Sequence, residues 1–164
     1  MAHLASKTSV VCVAQGYRRV LILSFQALHL SMKILMAEDE QTIAMVFQMM
    51  LENSKHKVIL THDGEGCLNA YKAAMAIMPD KSEEYLSKHP PFDVVLLDNR
   101  MPKMDGLEAA KHILAINRNQ RIIFVTAYPQ SSVQDAMKAY APNEFQILAK
   151  PVEMEQLLGA IEKS

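Results

Sequence analysis

The sequence predicts an α/β protein whose parallel sheet carries helices on both faces, and three observations support this. Short apolar runs rich in Val, Ile and Leu alternate with amphipathic stretches from residue 32 onward, the pattern of successive βα units. Most runs are apolar almost throughout rather than at every second position, as expected of strands buried on both faces. Polar residues close four of the runs, and a parallel sheet gathers the ends of its strands at one edge. At 164 residues, half of them apolar, the chain is long enough for one well-cored domain and short for two.

Residues 1–31 stand apart from the rest. They contain Lys7, Arg18 and Arg19 and no acid, whereas residues 32–164 set the other 14 basic residues against 18 acids. The uncharged stretch from Val20 to Ser31 is shorter than the roughly 20 apolar residues of a membrane span. Gln26 and His29 interrupt it, and no clear small-residue cleavage site follows, so a secretory signal has weak support. The segment reads as an N-terminal extension of uncertain status: either it lies upstream of a natural start at Met32, or it packs on the domain. The charge balance gives no global footprint for nucleic acid. Mild acidity of the body suits a metal site and a basic partner. Cys12 and Cys67 fit no metal-ligand spacing and read as buried thiols of a reducing compartment.

The elements follow in order. Lys33 to Ala37 is the first strand, and Gln41 to Ser54 a helix with Ile43, Phe47, Met50 and Leu51 on one face. Met45, Met49 and Met50 read as adaptable core filler, with a peptide-binding surface as the lesser alternative. Lys57 to His62 is the second strand, with Asp63-Gly64-Glu65-Gly66 as its exit turn. Cys67 to Met78 is a helix that Pro79 stops. Asp80 to Pro91 is then a long polar connection, either a helix extension or an excursion, since most αβ connections are about 2 to 6 residues. Phe92 to Asp98 is the central strand, and Gly106 to Asn117 a helix that Asp105 caps. Arg121 to Thr126 and Phe145 to Ala149 are the remaining strands; Ser131 to Tyr140 and Glu153 to Lys163 are the remaining helices. The histidines lack ligand spacing and read as structural, and Lys103 as a solvated loop lysine.

In this register Glu38, Asp39, Asp98, Thr126 and Lys150 all fall at strand ends. Carboxylates crowded at one sheet edge repel one another unless a cation lies among them, which points to a hard-metal site with an acidic nucleophile. Mg²⁺ takes oxygen ligands, a lysine neutralises phosphoryl oxygens as a point charge, and a threonine hydroxyl donates to another. Glu40 reads as favourable charge at a helix N-terminus, with metal contact as the lesser alternative.

Glu38-Asp39-Glu40 after a strand, the block Asp98-Asn99-Arg100-Met101-Pro102-Lys103-Met104-Asp105-Gly106, Thr126-Ala127 and Lys150-Pro151 together resemble the receiver domain of two-component response regulators, including the single-domain chemotaxis type. The resemblance covers residues 32–164. It implies a flavodoxin-like, doubly wound five-stranded parallel sheet. It implies that Asp98 accepts a phosphoryl group from a sensor histidine kinase or histidine phosphotransfer protein, forming an acyl phosphate. Asp39 would bind Mg²⁺ directly, Glu38 through a coordinated water, and the backbone carbonyl of Arg100 would add a ligand. Lys150, joined to Pro151 by a cis peptide, would pair with the phosphoryl oxygens. Thr126 would report phosphorylation to the surface of the fourth helix, fifth strand and fifth helix, where a target protein binds.

Three features depart from the family pattern. The aromatic expected three residues before the lysine is Ile147, so that part of the switch is absent or falls to Phe145 on the same strand face. Arg100 and Tyr128 occupy positions that flank the attacking water during self-dephosphorylation, and their bulk implies a shielded, longer-lived phosphoryl group. The Asp80 to Pro91 connection has no counterpart in minimal receivers. Two rivals stand beside this reading. A haloacid-dehalogenase-type phosphatase would carry an acid where Arg100 stands, and a phosphorylation-independent pseudo-receiver would keep the fold as a binding module. The chain ends at Ser164, after the last helix; the expectation is a stand-alone cytoplasmic regulator or phosphorelay intermediate. It would bind neither nucleic acid nor membrane and would be a monomer or a phosphorylation-dependent dimer.

Overall fold

A computed structural model describes residues 31–127, 130–138, 140 and 145–163. Residues 1–30 of the N-terminal extension, with Cys12, and Tyr128 lie outside the described residues. Five strands, β1 (Lys33–Ala37), β2 (Lys57–Thr61), β3 (Val94–Leu97), β4 (Ile122–Thr126) and β5 (Phe145–Ala149), form one parallel sheet in the order β2-β1-β3-β4-β5. The chain winds outward in both directions from β1 and β3, which makes the carboxyl ends of those two strands the switch point of the sheet. β1 from Ile34, and all of β3 and β4, are buried, which is why their sequences show no alternation.

Helices cover both faces. α2 (Gly64–Ala76), α4 (Gly106–Ile116) and α5 (Gln130–Met137) pack over Leu35, Val95, Leu97, Ile122 and Phe124. α1 (Gln41–Asn53) and α6 (Met154–Ile161) pack over Ile34, Met36, Leu96, Ile123 and Val125 on the other face. The polar connection after Pro79 holds a short helix, α3 (Glu83–Lys88), capped by Ser82, whose Leu86 joins the first core. The last helix–strand–helix face is therefore α5, β5 and α6.

Two readings of the sequence are corrected. Asp63-Gly64-Glu65-Gly66 is not a separate exit turn: Asp63 caps α2 by accepting from the Gly66 N–H at 2.7 Å, so the helix begins at Gly64. Two of the three methionines singled out in α1, Met45 and Met49, are not core filler. The buried side of α1 holds Ala44 and Leu51 with Phe47, and Met45 and Met49, one position further round the helix, are 68% and 57% exposed.

At the amino-terminal edge, Gln120 accepts from the Tyr71 hydroxyl and donates to the Phe92 carbonyl. Arg121 caps the end of α6 by donating to the Ile161 and Ala160 carbonyls. These contacts fix the far end of the sheet, and the carboxyl edge is left to chemistry.

Candidate functional site

The acidic groups meet where β1 and β3 end. Ladder pairing puts Ala37 beside Leu97, and the Asp98 N–H donates to the Ala37 carbonyl at 3.0 Å, so Glu38, Asp39 and Asp98 emerge side by side. Oxygens of all three lie within 4.8 Å of one another. Glu38 is buried, Asp98 partly buried and Asp39 exposed. Lys150, just past β5, crosses the edge and donates to Glu38 Oε2 at 2.6 Å and Asp98 Oδ2 at 2.8 Å. Its bond to Pro151 is cis, as expected. Asp98 Oδ1 accepts from the N–H groups of Asn99 at 2.5 Å and Arg100 at 3.4 Å.

The electrostatics are those of a site short of positive charge. Burial pushes the Glu38 carboxyl above its ordinary pKa, and the Asp98 charge adds to this against the pull of Lys150. Burial alone would lower the Lys150 pKa, but its hydrogen bonds and charge contacts with Asp98 and Glu38 outweigh it, so the ammonium is held above the ordinary lysine range. One ammonium among three carboxylates leaves the cluster acidic. Glu38 Oε1 is buried with no hydrogen-bond partner among the described residues. An orphaned buried carboxylate oxygen beside two further carboxylates is the donor set of a hard divalent cation, so the residues present fit Mg²⁺.

The site opens into a cleft of about 670 Å³ lined by Asp39, Asn99, Arg100, Met101, Pro102, Asp105 and Leu107. Arg100 is exposed at its wall. Thr126 is buried at the end of β4, paired in register with Ala149, and its carbonyl accepts from the Lys150 N–H at 3.0 Å. Ile147 sits opposite Phe124, and Phe145 two pairs further from the site, opposite Ile122 and edge-on to the Phe124 ring. Both pack against the core on the α2–α4–α5 face. Glu40 stands exposed at the head of α1 and is not one of the clustered acids.

Sequence reasoning missed the role of its loop lysine. Lys103 is exposed, but its ammonium reaches Asp63 Oδ2 at 2.7 Å, and the ordinary solvated reading is corrected to an ion pair. The residue also takes a left-handed φ of 65°, where Gly or Asn is the usual choice, and nothing in the sequence around it marks the pairing.

Comparison with known proteins agrees with this geometry. A family model described as response regulator receiver domain matches residues 34–162. The response regulator receiver protein CpdR of Brucella abortus is 30% identical over 80% of this chain and 94% of its own length. The transcriptional regulatory protein ZraR of Escherichia coli K12 is 28% identical over 83% of this chain; the match spans only 27% of ZraR. Among solved structures, a receiver domain protein from Clostridium thermocellum aligns with a TM-score of 0.63 and 27% identity, covering 79% of this chain and 90% of that one. No described helix is long and apolar enough to cross a membrane.

Proposed function

Because the chain belongs to the response regulator receiver domain family, we propose that it accepts a phosphoryl group on Asp98 in a Mg²⁺-dependent reaction and uses the added charge to switch a protein-binding surface. One observation carries the reading: the Lys150 ammonium lies within hydrogen-bond distance of Asp98 while Glu38 and Asp39 stand beside it. An Asp98 carboxylate oxygen attacks phosphorus, and the bond from phosphorus to the donor's nitrogen or oxygen breaks, with its electron pair leaving on the donor. Lys150 neutralises the phosphoryl oxygens, and Asp98 is held in place by the Asn99 and Arg100 N–H groups. Asp39, Glu38 through a water, and the Arg100 carbonyl would hold Mg²⁺, which supplies charge neutralisation at the transferring group.

The phosphoryl source is a sensor histidine kinase or a histidine phosphotransfer protein. Thr126 relays the new charge to the α5–β5–α6 face, with Ile147 and Phe145 on the strand between those helices, and a target protein docks there. The reading places the protein in the cytoplasm. Arg100, in place of a second acid, speaks against turnover of a small-molecule phosphate ester.

The test is intact-mass spectrometry of wild type and Asp98→Asn after incubation with Mg²⁺ and acetyl phosphate. A labile gain of about 80 Da, one phosphoryl group, that requires Mg²⁺ and is lost in the variant supports the reading. No gain in wild type overturns it in favour of a phosphorylation-independent binding module.

A further inference from the structure

The turn between β2 and α2 gives no side chain to the acidic cluster, yet both loops that build the cluster rest on it. On one side, the Glu38 N–H donates to the Thr61 carbonyl at 3.1 Å, and His62 Nδ1 lies 3.3 Å from the Glu38 carbonyl, to which its N–H donates. On the other, the Gly64 N–H donates to the Met104 carbonyl at 3.1 Å, and Lys103 grips Asp63 at 2.7 Å. The approach is close: a Cβ on Gly64 would lie 2.5 Å from the Met104 carbonyl oxygen. Asp63 is fixed from two directions, since its other oxygen caps α2. Lys103 holds its ammonium there from a left-handed backbone that Gly or Asn would occupy at lower cost.

We propose that Asp63 and Lys103 are positioning residues for Asp98: their ion pair clamps the Asn99–Gly106 loop to the β2–α2 turn, and through His62 the same turn sets where Glu38 and Asp39 stand. The acceptor and the metal-holding acids then share one brace, and loosening it moves them relative to each other. For its rate readout the proposal rests on the receiver reading.

Two substitutions isolate the clamp. Lys103→Asn removes the ammonium but tolerates the left-handed backbone, and Asp63→Asn removes the charge but retains an oxygen that caps α2. If the two charges acted on the site only through their fields, removing a cation and removing an anion would shift the rate of phosphorylation by acetyl phosphate in opposite directions. A brace predicts the same direction for both. We expect each variant to lower that rate about threefold to tenfold, with the double variant no slower than the slower single one. Lys103→Arg restores the rate. In the metal-free proteins, hydrogen exchange of the Gly64 and Gly106 amides is faster in both Asn variants than in wild type. Opposite rate shifts, additive losses or unchanged exchange each overturn the brace. If wild type takes no phosphoryl group, the receiver reading fails, and exchange alone then decides whether the clamp holds the loop.

Discussion

Gly106 packs directly on the backbone of Asp98: a Cβ at position 106 would overlap the Asp98 carbonyl oxygen, while the Gly106 N–H donates to the Asn99 carbonyl. The start of α4 thus packs against the end of β3 with no room for a side chain. Gly106→Ala is expected to cost about 1–3 kcal/mol, the range for overpacking a filled site, and to slow phosphorylation. Gly159, on α6, has no atom of the described residues beyond its chain neighbours and its own helix backbone within 4 Å of its Cβ position. Gly159→Ala should therefore stabilise by about 0.5–1 kcal/mol through helix propensity. Urea midpoints of the two variants check the contrast; equal shifts would mean that the close packing at Gly106 has no energetic consequence.

The sign of the Glu38 shift fixes a second outcome. Its folded pKa is raised above 4.5, so the folded state holds the proton more tightly than the unfolded state. Stability of the metal-free protein then falls as pH rises from about 4.5 through the raised value, and the full penalty remains at neutral pH. Glu38→Gln removes the charge and is expected to raise metal-free stability at pH 7. With saturating Mg²⁺ the order reverses, because wild type gains more from the cation. Denaturation with and without Mg²⁺ reads both halves, and a variant less stable than wild type in the absence of metal would contradict the electrostatic account.

Lys150 supplies the opposite limb. Its raised pKa means that the stabilisation from its bonds to Asp98 and Glu38 is fully present below 10.5 and is lost as pH rises through the folded value above it. Lys150→Ala leaves Glu38 and Asp98 facing each other unneutralised. The variant should be less stable at pH 7 and should recover more stability on adding Mg²⁺ than wild type does, which thermal unfolding with and without the cation would measure.

These elements differ in how plainly the sequence announced them. β1, β3 and β4 were legible because burial on both faces leaves uninterrupted apolar runs, and Asp98, Asp39, Thr126 and Lys150 because a parallel sheet brings strand ends together whatever the loops do. α3 was hidden: a six-residue helix carries too few turns for a periodic signal. The reading of Met45 and Met49 as filler fails for a related reason. The apolar residues of α1 extend around the helix, and only packing distinguishes Leu51, buried, from Met49, exposed. The pair Lys103–Asp63 joins positions 40 residues apart, a contact set by the crossing of two loops and invisible to local pattern.

The lifetime of the phosphoryl group tests how the cleft is used. On the proposed reading, water must reach phospho-Asp98 in line with the bond that breaks, and the cleft that opens beside the acidic cluster carries the exposed Arg100 on its wall. A long cationic side chain there would fill a path through that cleft and draw toward the anionic phosphoryl oxygens. Replacing it by Arg100→Asn opens the path and provides an amide that orients a water, so hydrolysis should quicken about tenfold, a barrier change of about 1.4 kcal/mol. The rate of phosphoryl loss after removing excess donor, followed by intact mass, measures this. The phosphorylation rate serves as the control: a change confined to loss places Arg100 on the water's route, whereas equal changes in gain and loss would mean that it acts on the transferring group itself.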